Sequence, residues 1–333
     1  MQRLKLAPLG LVILGLLATS ANADDLTIYS GRSEKFVKPL IDNFSKKTGI
    51  KVNLTSGNSS MLLSLMSIED KDTKADLYIA NDAANLQRGS QFDLFAPLPK
   101  KILANTPKDW RASDDTWIGL SGRARVLVVN NNSEAGKKID SVFDLADPRL
   151  KRKIAITRAS NESFISGASA YRYLAGQQKV VSWLIGIREN AEGAIFRKHS
   201  QVVKAVASGR REIGLVNHYY VFRHLKKNPK APIRVIMPDQ NTIGAAWNMA
   251  GIALSKYSRD KEAALAFIAY LSSADGQEVF AQANKEFPAN PKVKADPAVE
   301  ALKKYTFARV PMEELGRNRE PTVGHIRYAQ MEW

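Results

Sequence analysis

The residues best placed to do chemistry are two adjacent phenols, Tyr219 and Tyr220, in the stretch NHYYVFRH. Neighbouring side chains of a regular strand point to opposite faces, so the pair can serve one site only where the strand has ended or kinked. EIGLVNHYY reads as a strand and VFRHLKKN as a helix, which sets both tyrosines at a strand-to-helix turn able to aim them into one cleft. The chain has no cysteine. Thiolate zinc sites, cysteine nucleophiles and a disulfide framework are thereby excluded, and any metal must be held by oxygen or nitrogen. The competing reading of the pair is packing and hydrogen bonding.

The elements that must position these phenols alternate along the chain. LTIYS at 26–30 is a strand, followed by EKFVKPLIDNFSKKTG, where Phe36, Val37, Leu40, Ile41 and Phe44 fall at helical spacing and Gly49 stops the helix. IKVNLTS and ADLYIA are strands around the helical SMLLSLMSIED. This alternation predicts a largely parallel sheet covered by helices, with ligands at the carboxyl ends of the strands. A second series follows the long β-rich WIGLSGRARVLVVNN: KIAIT, SFISGASAYRYLAG, VVSWLIGIREN, GAIFRK, SQVVKAVASG, the tyrosine turn and IRVIMP. NTIGAAWNMAGIALSK then reads as a return crossing, and KEAALAFIAYLSSADGQEVFAQAN as helices packing on the first lobe. Two lobes hinged around a cleft are expected, divided as 24–122 with 250–298 and 123–249 with 299–333.

At the N-terminus, Arg3 and Lys5 precede the apolar LGLVILGLLATS, which closes on Ala21-Asn22-Ala23. A positive start, a short apolar run and a small-x-small end predict a secretory signal peptide over residues 1–23, too short for the roughly 20 apolar residues that span a bilayer. The full chain carries 49 basic and 33 acidic residues, a formal charge of +16. Such a field suits nucleic acid, an anionic membrane surface or a small anionic ligand. The basic residues are spread along the chain without a nucleic-acid module signature, so nucleic acid is set aside as a partner. No Gly-x-Ser-x-Gly elbow, His-Glu-x-x-His pair or paired-carboxylate signature appears, which argues against an exported hydrolase.

LTIYSGRSE, ADLYIANDAANL, VFDLADPRLKRKIAIT, EIGLVNHYY and QEVFAQANKEFPANP together resemble the periplasmic ferric-ion-binding proteins of ABC transporters, over nearly the whole chain after residue 23. The resemblance implies an α/β, two-lobed type II periplasmic-binding-protein fold, each lobe a mixed, mostly parallel sheet flanked by helices, with the ligand between the lobes. It also implies a non-catalytic monomer that captures Fe(III) in the periplasm and delivers it to an inner-membrane ABC permease and its ATPase. Ferric ion is a hard cation that prefers charged oxygen. A phenol, with a reference pKa near 10, becomes a ligand when the metal displaces its proton.

Tyr219 and Tyr220 match the family's paired tyrosine ligands. The positions of its usual histidine and glutamate hold Ser33 and Asn81, with Asp82 adjacent, and the position of an additional tyrosine in one subgroup holds Phe164. A synergistic anion, carbonate, phosphate or citrate, is therefore expected to complete the shell. The segment TRASNES joins a strand to a helix, where free N–H groups favour an anion. Ser160, Asn161 and Ser163 are candidates there, with Arg158 as an electrostatic helper; Asn217 matches an anion-holding position, Arg32 approaches from the opposite lobe, and His199 precedes a helix facing the anion. Ser160 or Asn161 as a plain helix cap is the competing reading. His218 is expected to point away, His224 to lie on a solvated face, Tyr171 and Tyr173 to pack in the core, and Tyr29 to form a wall of the cleft. The alternative function is a bilobal binder of another anionic cargo, a phosphonate or an iron chelate.

Overall fold

The computed structural model describes residues 25–331, so the signal-peptide reading of residues 1–23 lies outside the described residues. The first lobe opens with β1 (Leu26–Ser30), α1 (Glu34–Thr48), β2 (Val52–Ser56), α2 (Ser59–Glu69), β3 (Leu77–Ala80) and α3 (Ala83–Gln91). Both β2 and β3 pair in parallel with β1. The α1 stripe of Phe36, Val37, Leu40, Ile41 and Phe44 is buried as its spacing predicts, and Gly49 ends the helix at φ 78°, a left-handed turn that glycine adopts without a Cβ penalty.

After β4 (Phe95–Ala96) and the single turn α4 (Lys100–Leu103), β5 (Trp117–Asn130) runs for 14 residues, all buried. The second lobe follows: α5 (Glu134–Lys138), β6 (Ile154–Thr157), α6 (Glu162–Ala175), α7 (Gln177–Asn190), β7 (Ile195–Phe196), α8 (His199–Ala207), β8 (Ile213–Asn217), α9 (His218–Lys227) and β9 (Ile233–Ile236). The return strand β10 (Trp247–Ser255) leads to α10 (Lys261–Ser272), α11 (Ala274–Asn284), β11 (Phe287–Pro288), α12 (Pro297–Glu300) and α13 (Met312–Tyr328).

Strand order is β2-β1-β3-β10-β5-β8-β6-β7. The flanks, β2-β1-β3 and β8-β6-β7, are parallel, whereas β10 runs antiparallel to β3 and β5, and β5 antiparallel to β8. A strand that carries the chain back between lobes must oppose the direction it came from. The ladder partner of β5 changes midway: residues up to Ala124 pair with β10, and residues from Arg125 pair with β8 and β9. One strand thus belongs to both lobes, and the cleft opens where it changes hands.

The helix α13 has no counterpart among the sequence expectations. Its buried face includes Met312, Leu315, Val323 and Ile326, but Arg319 fills the middle of that stripe and Pro321 lies inside the helix, which masks the apolar period. It packs against both α3 and α6, spanning the lobes.

Candidate functional site

Tyr219 and Tyr220 are the second and third residues of α9, immediately after β8 ends at Asn217. Helical geometry turns successive side chains by about 100° instead of the 180° of a strand, so neighbouring phenols converge. The rings lie 4.4 Å apart at an interplanar angle of 34° and both line a cleft of about 540 Å³. Phe36 of α1 meets Tyr219 edge-on at 6.1 Å, and His199 packs on Tyr220 at 4.9 Å. Burial, followed by the Tyr219 phenol, pushes the Tyr220 phenol well above its ordinary range.

Beneath the phenols lie Arg123 and Arg125, each only 4 % exposed, on the stretch of β5 where its partners change. Alternation along the strand puts these two residues on one face and Ala124 on the other. Arg125 Nη1 donates to Asn217 Oδ1 at 3.1 Å, and Asn217 Nδ2 donates to Ser163 Oγ at 3.1 Å and to the Tyr219 hydroxyl at 3.5 Å. Asn217 therefore relays a buried positive charge to one tyrosine and to the start of α6. Burial holds both guanidiniums below their usual range. Any negative charge formed on the phenols would offset that penalty.

The opposing turn belongs to the first lobe. Gly31 is required there, since a Cβ would stand 1.9 Å from Ser59 Oγ and 2.9 Å from Ser59 Cα. Asn81 N–H donates to Ser59 Oγ at 3.0 Å and its side-chain amide donates to the Gly31 carbonyl, leaving Oδ1 as the acceptor of that side chain. Ser33 is exposed on the cleft edge; it stands at the N-cap of α1 without a side-chain capping bond.

The cleft brings together Arg32, Ser33, Asn81, Arg158, Ser160, Asn161, Ser163, His199, Tyr219 and Tyr220 from the sequence candidates, with Asn217 directly behind. Two of these have other work. Arg32, expected to reach an anion from the opposite lobe, is 2 % exposed, and its terminal nitrogens go to Ser121 Oγ at 3.0 Å and Glu286 Oε2 at 2.8 Å. Although burial opposes it, Arg32 and Arg123 hold the Glu286 carboxyl below the usual range. Asn161 caps α6, accepting from Ser163 N–H at 3.0 Å.

Asp82 does not line the cleft. It caps α3 through Asn85 N–H at 2.9 Å, and burial, then the charge of Glu162, pushes its carboxyl up to about 6. Phe164 stacks on Trp183 at 6.1 Å and offers no oxygen. The His218 ring is fully buried, its Nδ1 accepting from Ala124 N–H at 3.0 Å and its Nε2 meeting the Lys285 carbonyl at 2.9 Å. Those partners fix the neutral tautomer protonated on Nε2 and leave no lone pair for a ligand. His224 is half-buried, Tyr171 packs on Trp183, and Tyr29, expected as a wall of the cleft, is buried away from its lining and donates to Glu69. Tyr173, expected in the core, is instead 45 % exposed on the outer face of α6.

Several residues of the site were missed by sequence reasoning. Arg123 and Arg125 had a signal, two charges at i and i+2 inside an apolar strand. Arg197, just after β7, lines the cleft from a segment that carries no motif, and Glu162, the first residue of α6, lies within TRASNES, which was read for its hydroxyls and N–H groups and not for its carboxylate. Glu286 acts from 254 residues beyond Arg32, a separation no local pattern reveals.

Residues 26–283 match the model of a family described as bacterial extracellular solute-binding protein. The chain belongs to that family. This solute-binding protein is 28 % identical over 312 residues to iron uptake protein A1 of Synechocystis sp., covering 92 % of this chain and 87 % of the relative. Among solved structures it superposes on a ferric binding protein from Campylobacter jejuni with a TM-score of 0.87 at 26 % identity, covering 92 % of this chain and all of that one. A Trichodesmium protein in complex with iron and citrate ligands gives 0.78 at 27 % identity, with 92 % and 99 % coverage. These agree with the two-lobed type II periplasmic-binding-protein fold expected from the sequence.

Proposed function

We propose that this solute-binding protein captures ferric iron in the periplasm together with a synergistic anion, as a monomer, and hands it to an inner-membrane ABC permease and its ATPase. The observation that carries the reading is the pair Tyr219 and Tyr220, side by side in the cleft above Arg123 and Arg125. Two phenolates beside two buried guanidiniums make a hard, anionic oxygen site matched to a small, highly charged cation. Residues 1–23 act as the export signal, and the lobes are 24–122 with 250–298 and 123–249 with 299–333; the change of β5's ladder partners between Ala124 and Arg125, two residues from the first crossing, supports that boundary.

In this reading the tyrosines are the metal ligands. Ser160 and Ser163 at the start of α6, with Asn217 behind them and Arg158 beside them, hold the anion. Ser33 and Asn81 Oδ1 face the ion across the cleft from the first lobe, without the charge of a carboxylate. Closure of that lobe over the loaded second lobe excludes water and strengthens each charge interaction.

Adding ferric salt with bicarbonate to the apo protein tests the reading. A purple colour from tyrosinate-to-iron charge transfer is expected in the native protein and absent from Y219F/Y220F, whose fold the loss of two hydroxyls at the cleft leaves intact. Retention of ferric affinity in that double variant would contradict the assignment. A colourless native protein that melts higher with a phosphonate would favour a different anionic cargo.

A further inference from the structure

Within the buried stripe of α1, Phe36 stands apart. Val37, Leu40, Ile41 and Phe44 belong to the apolar core of the first lobe, whereas Phe36, though only 7 % exposed, joins none of the hydrophobic clusters among the described residues and lines the cleft instead. Tyr219 meets its ring edge-on, and the Arg223 guanidinium lies over the ring with its carbon 4.9 Å from the centroid. Both come from α9 of the second lobe, four residues apart and therefore on one face of that helix. Arg32 and Lys35 also lie over the ring, at 5.2 and 5.0 Å, but they belong to Phe36's own turn of the first lobe.

Arg223 has little else to hold it there. Among the described residues no carboxylate stands within ion-pair distance, and its Nη1 is buried without a hydrogen-bond partner. The charges nearby have its own sign: burial holds the Lys35 ammonium below its ordinary range, and Arg223, Lys198 and Lys227 add to the effect, so the mouth gathers cations from both lobes. Closing the lobes thus brings like charges together and takes part of a guanidinium out of water. The negative face of an aromatic ring compensates for both, and the more so as water is excluded. Arg32 and Lys35 accompany Phe36 whether the lobes are open or closed, so the contact that closure adds is the one to Arg223.

We infer that Phe36 is a positioning residue for ferric capture: its ring is the seat in the first lobe on which Arg223 settles when the lobes close, and through α9 that seating holds the Tyr219 turn shut over the ion. This rests on the ferric reading above and names a determinant of how long the ion stays. Neither side chain bonds to iron, so their loss changes the rate of release and leaves the ligand set as it was.

The test replaces Phe36 in the full protein by 4-fluoro-, 3,5-difluoro- and 3,4,5-trifluorophenylalanine, which withdraw density from the ring face with little change in size. Each protein is loaded from ferric salt with bicarbonate or from ferric citrate, then challenged with excess chelator while the visible band is followed in time. Iron loss is expected to quicken with each added fluorine, reaching about tenfold for the trifluoro ring, with the band's wavelength unmoved. In R223Q, loss is expected to be about tenfold faster from the outset and insensitive to fluorination, since the contacts of Arg32 and Lys35 cancel between the open and closed states. F36L, apolar but without a π face, should match R223Q. One release rate across the fluorinated series, or a series that persists undiminished in R223Q, overturns the inference while leaving iron capture standing. A native protein that retains no iron from either source overturns the ferric reading and this one with it.

Discussion

Arg319 projects from α13 into the gap between the lobes, and replacing it with glutamine separates closure from metal chemistry. Its Nη2 donates to Ser60 Oγ of α2 at 2.7 Å and pairs with Glu162 Oε2 of α6 at 3.2 Å, while Ser60 donates to Glu162 Oε1 at 2.8 Å. The Arg319 and Glu162 side chains are 9 % and 10 % exposed. Removing one member of a buried ion pair costs about 3–5 kcal/mol. Glu162 keeps the Ser60 hydroxyl and glutamine can restore one hydrogen bond, so about 2–3 kcal/mol is the expected loss. The second contact, to the exposed Glu320, adds little. Because the network joins α2 of one lobe to α6 of the other, the loss falls on the closed arrangement. Apparent ferric affinity should drop by roughly 30- to 150-fold, with no ligand removed. Competition against a ferric chelator measures the affinity, and small-angle scattering of the loaded protein should report a more open molecule. Unchanged affinity and scattering, with a lowered urea midpoint, would refute a role in closure and leave only a structural one.

Further expectations concern protons and backbone. If two phenolic protons leave on loading, ferric affinity should fall by up to about 100-fold for each pH unit of acidification at fixed anion, measured by chelator competition; a flat profile would count against phenolate ligation. Burial holds His218 down to about 4, below its ordinary 6.5. The depressed group favours the neutral form in the folded state, so its contribution is full above 6.5 and is lost as pH falls from there to about 4. The loss amounts to about 3 kcal/mol, visible as a falling urea midpoint that flattens in H218Q. Gly31→Ala should lower stability by about 1–3 kcal/mol through collision with Ser59, and it should disturb ferric affinity as well, because the Gly31 carbonyl holds the Asn81 amide; a neutral alanine would disprove the close packing.

Much of the fold was legible because each element's period matched its burial. The α1 stripe, the β1–β3 alternation with α1 and α2, and the tyrosine turn all followed from local patterns. The antiparallel sense of the crossing strands follows from a chain that leaves and re-enters a lobe, which no window of residues records. At the cleft, side chains brought by a recognisable turn were legible in the sequence, namely Tyr219, Tyr220, Ser160 and Ser163, with Asn217 behind them. What escaped was electrostatic and long-range. Arg32 looked free until Glu286, far along the chain, met it; Asp82 looked like a metal donor until α3 used it as a cap; Arg123 and Arg125 were passed over inside a strand read only for its hydrophobicity. Charge pairing between distant segments is set by tertiary packing, so sequence spacing carries no trace of it.

The central claim is that Tyr219 and Tyr220 bind one ion through their oxygens. A crystal of the protein loaded with ferric citrate, measured at the iron absorption edge, tests it directly. A single anomalous peak is expected within coordination distance of both phenol oxygens, at the start of α9 and beside the α6 turn. A peak elsewhere, or one touching neither oxygen, would contradict it.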